Sequence, residues 1–356
     1  MKIGILTFHW ATNYGAVLQS YALQTYLENL GHTVEIIDYK PGQYDDTLSS
    51  FIRARKFLHF SDYLKSRKKE LALVSFRNNK LKKTRRYRSL KEMLGTLDYL
   101  DVLISGSDQV LNPFFLLHGE GQNIESPTYF LGFPFEGKKI GYALSFGCVS
   151  YPQNALSVAS KHIVGFDAIS VRERSGVDVV KSMGRDDSVV VPDPTLLMHS
   201  DFYHQIADEC SSSFESPYVY SFFIRNISDR KKAINNTIHD LDIFWNNEDG
   251  DYTIQGWLHR IKHSEIVFTD SFHCMVMCLK LHKPFIIVTE QKGNIGMNDR
   301  FYTLLGMMSL SSVIVNKDEI CKIQEKRDVS FPWDVVDEVL DCFQQKGEDF
   351  LGKALL

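Results

Sequence analysis

Apolar positions along this chain fall into short continuous runs separated by longer stretches with helical spacing, the alternation expected of strands and helices in parallel α/β sheets. Residues 2–8 read as a strand, 15–30 as a helix and, after Gly31, 33–39 as a second strand, a complete β-α-β unit. Further strands are predicted at 99–105, 139–144 and 168–171, the last preceded by a helix at 155–164. Two prolines interrupt the pattern at Val191-Pro192-Asp193-Pro194-Thr195, where a hinge is expected. A second series follows, with strands at 218–224, 265–269 and 285–288 and a helix from 231 to 241. Another helix begins at Asp270 or Ser271 and runs to Leu281, ahead of Lys283-Pro284. Apolar residues at helical spacing over 335–343 predict a terminal helix that crosses back to the first domain. The expected fold class is α/β, two Rossmann-like doubly wound domains facing a cleft, over 1–190 and 191–330, with 331–356 as the closing helix.

With 356 residues, 44% of them hydrophobic, the chain can bury two domain cores. No apolar run approaches the roughly 20 residues of a membrane span, and the N-terminus runs into a strand without a signal-peptide pattern. Six cysteines lack Cys-x2-Cys spacing, which predicts a reduced, cytoplasmic protein without thiol catalysis. Charge is uneven: the net is −4, yet residues 41–90 carry fourteen Lys and Arg against four Asp and Glu, interleaved with apolar residues. Basic amphipathic helices there would suit an anionic membrane, a pyrophosphate-bearing substrate or nucleic acid, or be a solvated face balancing an acidic body. Removal of 51–88 is expected to leave the fold intact and to weaken liposome binding.

Ligands in such sheets sit at the carboxyl ends of strands, and each predicted strand end carries polar residues. After the first come Asn13, Tyr14, Gly15 and Gln19, read either as ligand contacts or as a turn and helix cap. After the third come Ser107, Asp108 and Gln109, with Asp108 a general acid or base, or a cap. Arg172 and Arg225 occupy equivalent strand-end positions in the two halves. At Thr269-Asp270-Ser271-Phe272-His273 a strand turns into a helix whose N–H groups attract anions, with His273 in the first turn. No G-x-G-x-x-G string is present, so neither NAD nor FAD is expected. His259 and His263 stand at i, i+4 without a third ligand nearby, and no metal is expected.

These strings, in this order, resemble the polysaccharide pyruvyl transferase family. The carriers are Asn13-Tyr14-Gly15-Ala16 with Gln19, Gly106-Ser107-Asp108-Gln109-Val110 with Asn112-Pro113, and Ser170-Val171-Arg172-Glu173 with Ser175-Gly176. Asp193-Pro194-Thr195, the turn Thr269-Asp270-Ser271-Phe272-His273 and Arg300 ahead of Leu304-Leu305-Gly306 complete them. The resemblance implies a GT-B-like fold and transfer of the enolpyruvyl unit of phosphoenolpyruvate to a sugar as a cyclic ketal, with no cofactor. A ligand with a carboxylate and a phosphate on adjacent atoms needs several fixed donors, for which Arg172, Arg225 and Arg300 with Asp270 and Ser271 are the expected donor-site residues. The GT-B-like arrangement puts the acceptor on the first domain, with Asn13, Tyr14, Gly15, Gln19 and Gln109. His273 and Asp108 are the expected acid and base. Characterised relatives carry an Arg-x-His string whose His matches His273, whereas Ser271 stands here in place of the Arg. The expected partners are phosphoenolpyruvate, a lipid-pyrophosphate-linked sugar and an anionic membrane face, not nucleic acid. A nucleotide-sugar glycosyltransferase and a non-catalytic glycan- or membrane-binding module are the rival readings.

Overall fold

The computed structural model describes residues 1–45, 60–121, 124–211, 217–225, 227–293, 296–323 and 329–356. The chain divides into two compact units, Met1–Leu197 with Gln345–Leu356, and Met198–Gln344. The first contains strands β1 (Lys2–Leu6), β2 (Thr33–Ile36), β3 (Val102–Ser105), β4 (Lys138–Leu144), β5 (Ala168–Val171) and β6 (Val189–Val190). They form one sheet in the order β2-β1-β3-β4-β5-β6, every pairing parallel. The order reverses between β1 and β3, so the crevice above their carboxyl ends is the position where a doubly wound sheet leaves room for a ligand. Helices α1 (Tyr14–Asn29), α2 (Phe60–Lys80), α3 (Gln153–Ile163) and α4 (Arg174–Ser182) belong to this unit. β3 is buried throughout, because helices covering both faces of a parallel sheet leave no polar side.

Helix α1 starts cleanly because Asn13 accepts a hydrogen bond from the Gly15 amide at 2.9 Å. Gly31, at φ 86°, turns the chain from α1 into β2 through a left-handed conformation that costs glycine little. Of the basic segment, residues 46–59, with Arg53, Arg55 and Lys56, lie outside the described residues. The described part is not a dispensable insertion. α2 packs on α1 through buried Leu73 and Phe76, with the rings of Phe76 and Tyr21 5.6 Å apart. Residues 82–88 are not helical: Lys83 bridges Ile36 at the end of β2, and Tyr87 bridges Tyr39 beyond it. Buried Leu81 and Tyr87 anchor that stretch. Removal of 51–88 would therefore strip core side chains and backbone pairing from the first sheet, contrary to the expectation that the fold would survive.

The second unit repeats the logic with β7 (Tyr218–Phe222), β8 (Asp242–Trp245), β9 (Ile266–Thr269), β10 (Phe285–Thr289) and β11 (Ile314–Asn316). The order is β11-β10-β9-β7-β8, again all parallel, with the reversal between β7 and β9. Its helices are α5 (Ser200–Asp208), α6 (Ile227–Asn235), α7 (Ile254–His263), α8 (Phe272–Lys280), α9 (Asp299–Met307) and the start of α10 (Trp333–Leu355). A core cluster of Val219, Phe223, Trp245, Phe268, Ile286 and Val288 fills one face of the sheet. Strands β6, β8 and β11 were not anticipated: β6 and β11 have only two and three residues, and β8 follows directly on the segment read as the helix 231–241. The helix expected at 231–241 runs instead over Ile227–Asn235, and β8 takes residues 242–245. Helix α10 extends well past the apolar spacing at 335–343, burying Leu351 and Leu355 as well. Among the described residues, no helix is long and apolar enough to cross a membrane.

Candidate active site

The carboxyl ends of β7, β9 and β10 place Arg225, Asp270 and Glu290 beside one another, and α9 adds Arg300 and Phe301. These residues, with Arg230 of α6, line a cavity of about 210 Å³. Three arginines face two carboxylates there, so the lining carries a net positive charge. Asp270 organises it: its Oδ1 accepts from the Ile224 amide at 2.7 Å and its Oδ2 from the Arg225 amide at 3.1 Å. That ties the ends of β7 and β9 together at the point where strand order reverses. The buried Arg230 guanidinium donates to Asp270 and to Glu290, both at 2.5 Å, and lies over the Phe223 ring. Arg225 is exposed and meets the Met297 thioether. Arg300 lies 5.8 Å over the Phe272 ring and 5.1 Å from Phe301, linking the cavity wall to the start of α8.

Ser271 caps α8, its hydroxyl accepting from the Cys274 amide, while its own amide donates to Thr269 Oγ1. His273, buried in the first turn, packs edge-on against Phe272, which in turn faces Phe301 at 6.4 Å. Thus Arg225, Asp270 and Arg300 line the cavity, whereas Ser271 and His273 lie at the start of α8, where Phe272 meets the lining residues Arg300 and Phe301.

The remaining predicted residues gather in the first unit. Gln19, wholly buried, donates to Thr7 Oγ1 and the Ala16 carbonyl; Thr7 donates to the Ser107 carbonyl; Ser107 Oγ donates to Asp193 Oδ2 at 2.7 Å. Asp193 also accepts from the Thr195 amide and hydroxyl and from Arg172 Nη1 at 3.0 Å. Arg172 further pairs with Glu173 at 3.3 Å, and Glu173 accepts from Ser145. Burial opposes the charge on Arg172, but Glu173, Asp193 and Asp108 outweigh it and raise its pKa. Arg172, 3% exposed, is thus engaged by carboxylates of its own unit. Asp108 stands at φ 76° on the turn that Ser107 anchors, half-buried, its carboxylate accepting from the Gln109 amide. Asn13 and Gly15 form the cap of α1, and Tyr14 is buried as its first residue.

The Polysaccharide pyruvyl transferase family model matches residues 13–291. The chain belongs to that family. The match spans most of the chain and includes each predicted site residue except Arg300, which lies just beyond it. No curated protein matches the sequence. Among solved structures, the UDP-GlcNAc 2-epimerase of Methanocaldococcus jannaschii, in complex with UDP-GlcNAc and UDP, superimposes with a TM-score of 0.50 at 13% identity, covering 96% of this chain and 99% of that one. The Neisseria meningitidis UDP-GlcNAc 2-epimerase gives 0.47 at 9% identity, covering 99% and 100%. The likeness to the Methanocaldococcus enzyme, at 13% identity, concerns the fold alone, two Rossmann-like domains in one chain as in the GT-B class. As a member of the polysaccharide pyruvyl transferase family the protein is a transferase.

Two residues of this family member were not singled out from sequence. Arg230, which fixes Asp270 and Glu290, is hidden in a polar helix; five residues beyond a strand-end arginine, its position was the available signal. Lys69 appeared as one cation among many, although helical spacing sets it on the face of α2 that buries Leu73 and Phe76. Among the described residues no three His, Cys, Asp or Glu side chains converge as metal ligands. His259 and His263 pack ring to ring at 4.2 Å.

Proposed function

We propose that the protein transfers the enolpyruvyl group of phosphoenolpyruvate to two hydroxyls of a sugar, forming a cyclic ketal and releasing phosphate. The cavity of about 210 Å³ with Arg225, Arg230 and Arg300 in its wall carries this reading. It is smaller than the roughly 300–1,000 Å³ of pockets for drug-sized ligands, and its charge suits a compact anion bearing a carboxylate and a phosphate on adjacent atoms. Arg225 and Arg300 are assigned to the donor anion; Asp270, itself held by Arg230, fixes the Arg225 backbone, and Arg300 lies over Phe272. Ser271 offers a capping hydroxyl where relatives place an arginine, and donor charge recognition falls to Arg225 and Arg300 instead. Arg172 contributes by anchoring Asp193 and thereby the Ser107–Asp108 turn.

Protonation of the enol carbon C3 by His273 makes C2 electrophilic. The first sugar hydroxyl attacks C2 as a general base takes its proton, the role for which Asp108 is the candidate; phosphate then leaves, and the second hydroxyl closes the ketal, releasing its proton to the phosphate. Asn13, Gly15 and Gln109 border the acceptor at the β1/β3 crevice, with Tyr14 and Gln19 supporting them. The exposed face of α2, with Lys65, Arg67, Lys68, Leu64 and Leu71, suits an anionic bilayer carrying a lipid-linked acceptor. The test is phosphate release from phosphoenolpyruvate with galactose-, mannose-, glucose- and N-acetylhexosamine-terminated glycosides, followed by product mass. A product heavier by one ketal-linked pyruvate is expected. Thermal stabilisation by nucleotide sugars but not by phosphoenolpyruvate would overturn the reading.

A further inference from the structure

Lys69 is an ammonium that, among the described residues, meets no carboxylate, and it lies against the first residue of α1. Its Nζ lies 4.3 Å from the centre of the Tyr14 ring, the first residue of α1, beside the β1/β3 crevice. Among the described residues no carboxylate pairs with it. The neighbouring Glu70 is already engaged, by Arg77 at 2.5 Å and by the Thr12 hydroxyl. Arg77 also donates to the His9 carbonyl, and the His9 ring is bonded to Asp38. On α1 the group beside it is Tyr14, and Lys65 and Lys68 of α2 add positive charge. Burial pulls the Lys69 pKa down to about 8, with no charged neighbour contributing. A partly desolvated cation backed only by a ring face costs stability unless an anion completes it.

We propose that Lys69 is the anion anchor of the acceptor side, taking a phosphate or pyrophosphate oxygen of a phosphorylated sugar acceptor. This rests on the pyruvyl-transfer reading only for the acceptor's identity. The Tyr14 ring holds the ammonium from one side, and the amino end of α1, which has no acidic residue in its first turn, favours negative charge close by. Asn13 and Gly15 share that end, so an anchored phosphate would lie beside the residues assigned to the sugar.

Two measurements test it on the full chain. In the first, lysines are ¹³C-dimethylated, the Lys69 resonance is identified by its absence in Lys69→Met, and its titration is followed with inorganic pyrophosphate. The midpoint near 8 in the free protein is expected to rise as the anion binds. An unmoved midpoint at millimolar pyrophosphate overturns the proposal, and this holds even if no pyruvyl transfer is found. In the second, one sugar is offered as a neutral aryl glycoside, as its 1-phosphate and as a short-chain prenyl diphosphate. Lys69→Met should raise KM roughly ten-fold or more for the anionic acceptors while leaving kcat and the neutral acceptor within about two-fold, and Lys69→Arg should restore most of the loss. KM for the anionic acceptors should climb as pH rises past about 8, because the ammonium is charged below that value and neutral above it. A preference for the prenyl diphosphate over the 1-phosphate identifies a lipid-borne source, and equal values a soluble one. Equal losses on neutral and anionic acceptors overturn the assignment.

Discussion

Substitution of Asp270 by asparagine separates its role as a scaffold from its role as a charge. The side chain keeps its shape, but every group facing it is a donor: the Ile224 amide on Oδ1, and the Arg225 amide and Arg230 Nη1 on Oδ2. Either orientation of the amide turns its NH2 toward at least one N–H. A donor left unsatisfied costs about 1–3 kcal/mol. Arg230, 2% exposed at its side chain, also loses one of two carboxylates, and breaking a buried pair costs about 3–5 kcal/mol. The two costs overlap, since both count the same contact, so a total of roughly 3–5 kcal/mol is expected. Trp245, Trp257 and Trp333 all belong to the second unit, so tryptophan fluorescence in urea reports chiefly on it. With a slope of about 2 kcal/mol/M the midpoint should fall by roughly 1.5–2.5 M. Glu290→Gln is the control, because Glu290 is 27% exposed at its side chain and also meets Lys317; its loss should be about 1 kcal/mol. The two variants also part on ligand affinity. As a charge alone, Asp270 repels an anion and its removal would tighten phosphoenolpyruvate binding; as the tie holding the Arg225 loop, its removal should weaken it. Stability loss no greater than for Glu290→Gln, together with tighter binding, would refute the scaffold role.

His273→Ala and Asp108→Ala should each lower kcat by about 10²–10⁴-fold, and turnover within a few-fold of wild type in both would remove them from acid–base chemistry. Arg300→Ala should raise KM for phosphoenolpyruvate roughly ten-fold or more with little change in acceptor KM, read from initial rates. Reversal of Lys65, Arg67 and Lys68 to glutamate should abolish binding to anionic vesicles without altering the melting temperature; equal binding to neutral and anionic vesicles by the wild type would speak against the membrane role. Burial also lowers the pKa of Lys280, in α8, to about 8 against the attraction of Asp341 and Asp337. The folded state then binds fewer protons than the unfolded between pH 8 and about 10.5, so stability should rise with pH across that window. The gap corresponds to roughly 3 kcal/mol, and Lys280→Met should stabilise the second unit at pH 7 and flatten the slope in urea titrations.

The sheets were legible because parallel strands buried on both faces leave continuous apolar runs such as Ile266–Thr269 and Phe285–Thr289. Strand ends were legible for the same reason, and Arg225 and Asp270 were found at theirs. What side chains do there was less so. Arg172 and Arg225 were expected at equivalent strand ends, yet Arg172 directly follows β5 and is enclosed by Asp193 and Glu173, whereas Arg225 stands three residues past β7 and is exposed. Asp193 lies twenty-one residues from Arg172 and Glu290 lies sixty from Arg230; such partners depend on which strands become neighbours, and no local pattern records it. Residues 82–88 misled because the charges of Lys82, Lys83, Arg85, Arg86 and Arg88 masked the buried anchors Leu81 and Tyr87.

In each unit a buried arginine bridges two carboxylates near the carboxyl ends of the central strands: Arg172 between Asp193 and Glu173, Arg230 between Asp270 and Glu290. Buried ion pairs of this sort contribute little net stability, because desolvation offsets most of the attraction. They do fix geometry, since a carboxylate held by a guanidinium and by backbone amides cannot rotate without leaving donors unmet. In the second unit that rigidity is transmitted to the Arg225 loop through two amide hydrogen bonds, and in the first to the turn bearing Asp108 through Ser107. Charges set in place before substrate arrives need not reorganise as charge develops on it, the condition under which electrostatic stabilisation is most effective. On this view the ion pairs belong to catalysis through what they hold still, and Arg230→Lys should show it. A lysine keeps the charge but lacks the fork that spans both carboxylates, so kcat should fall while the fold survives.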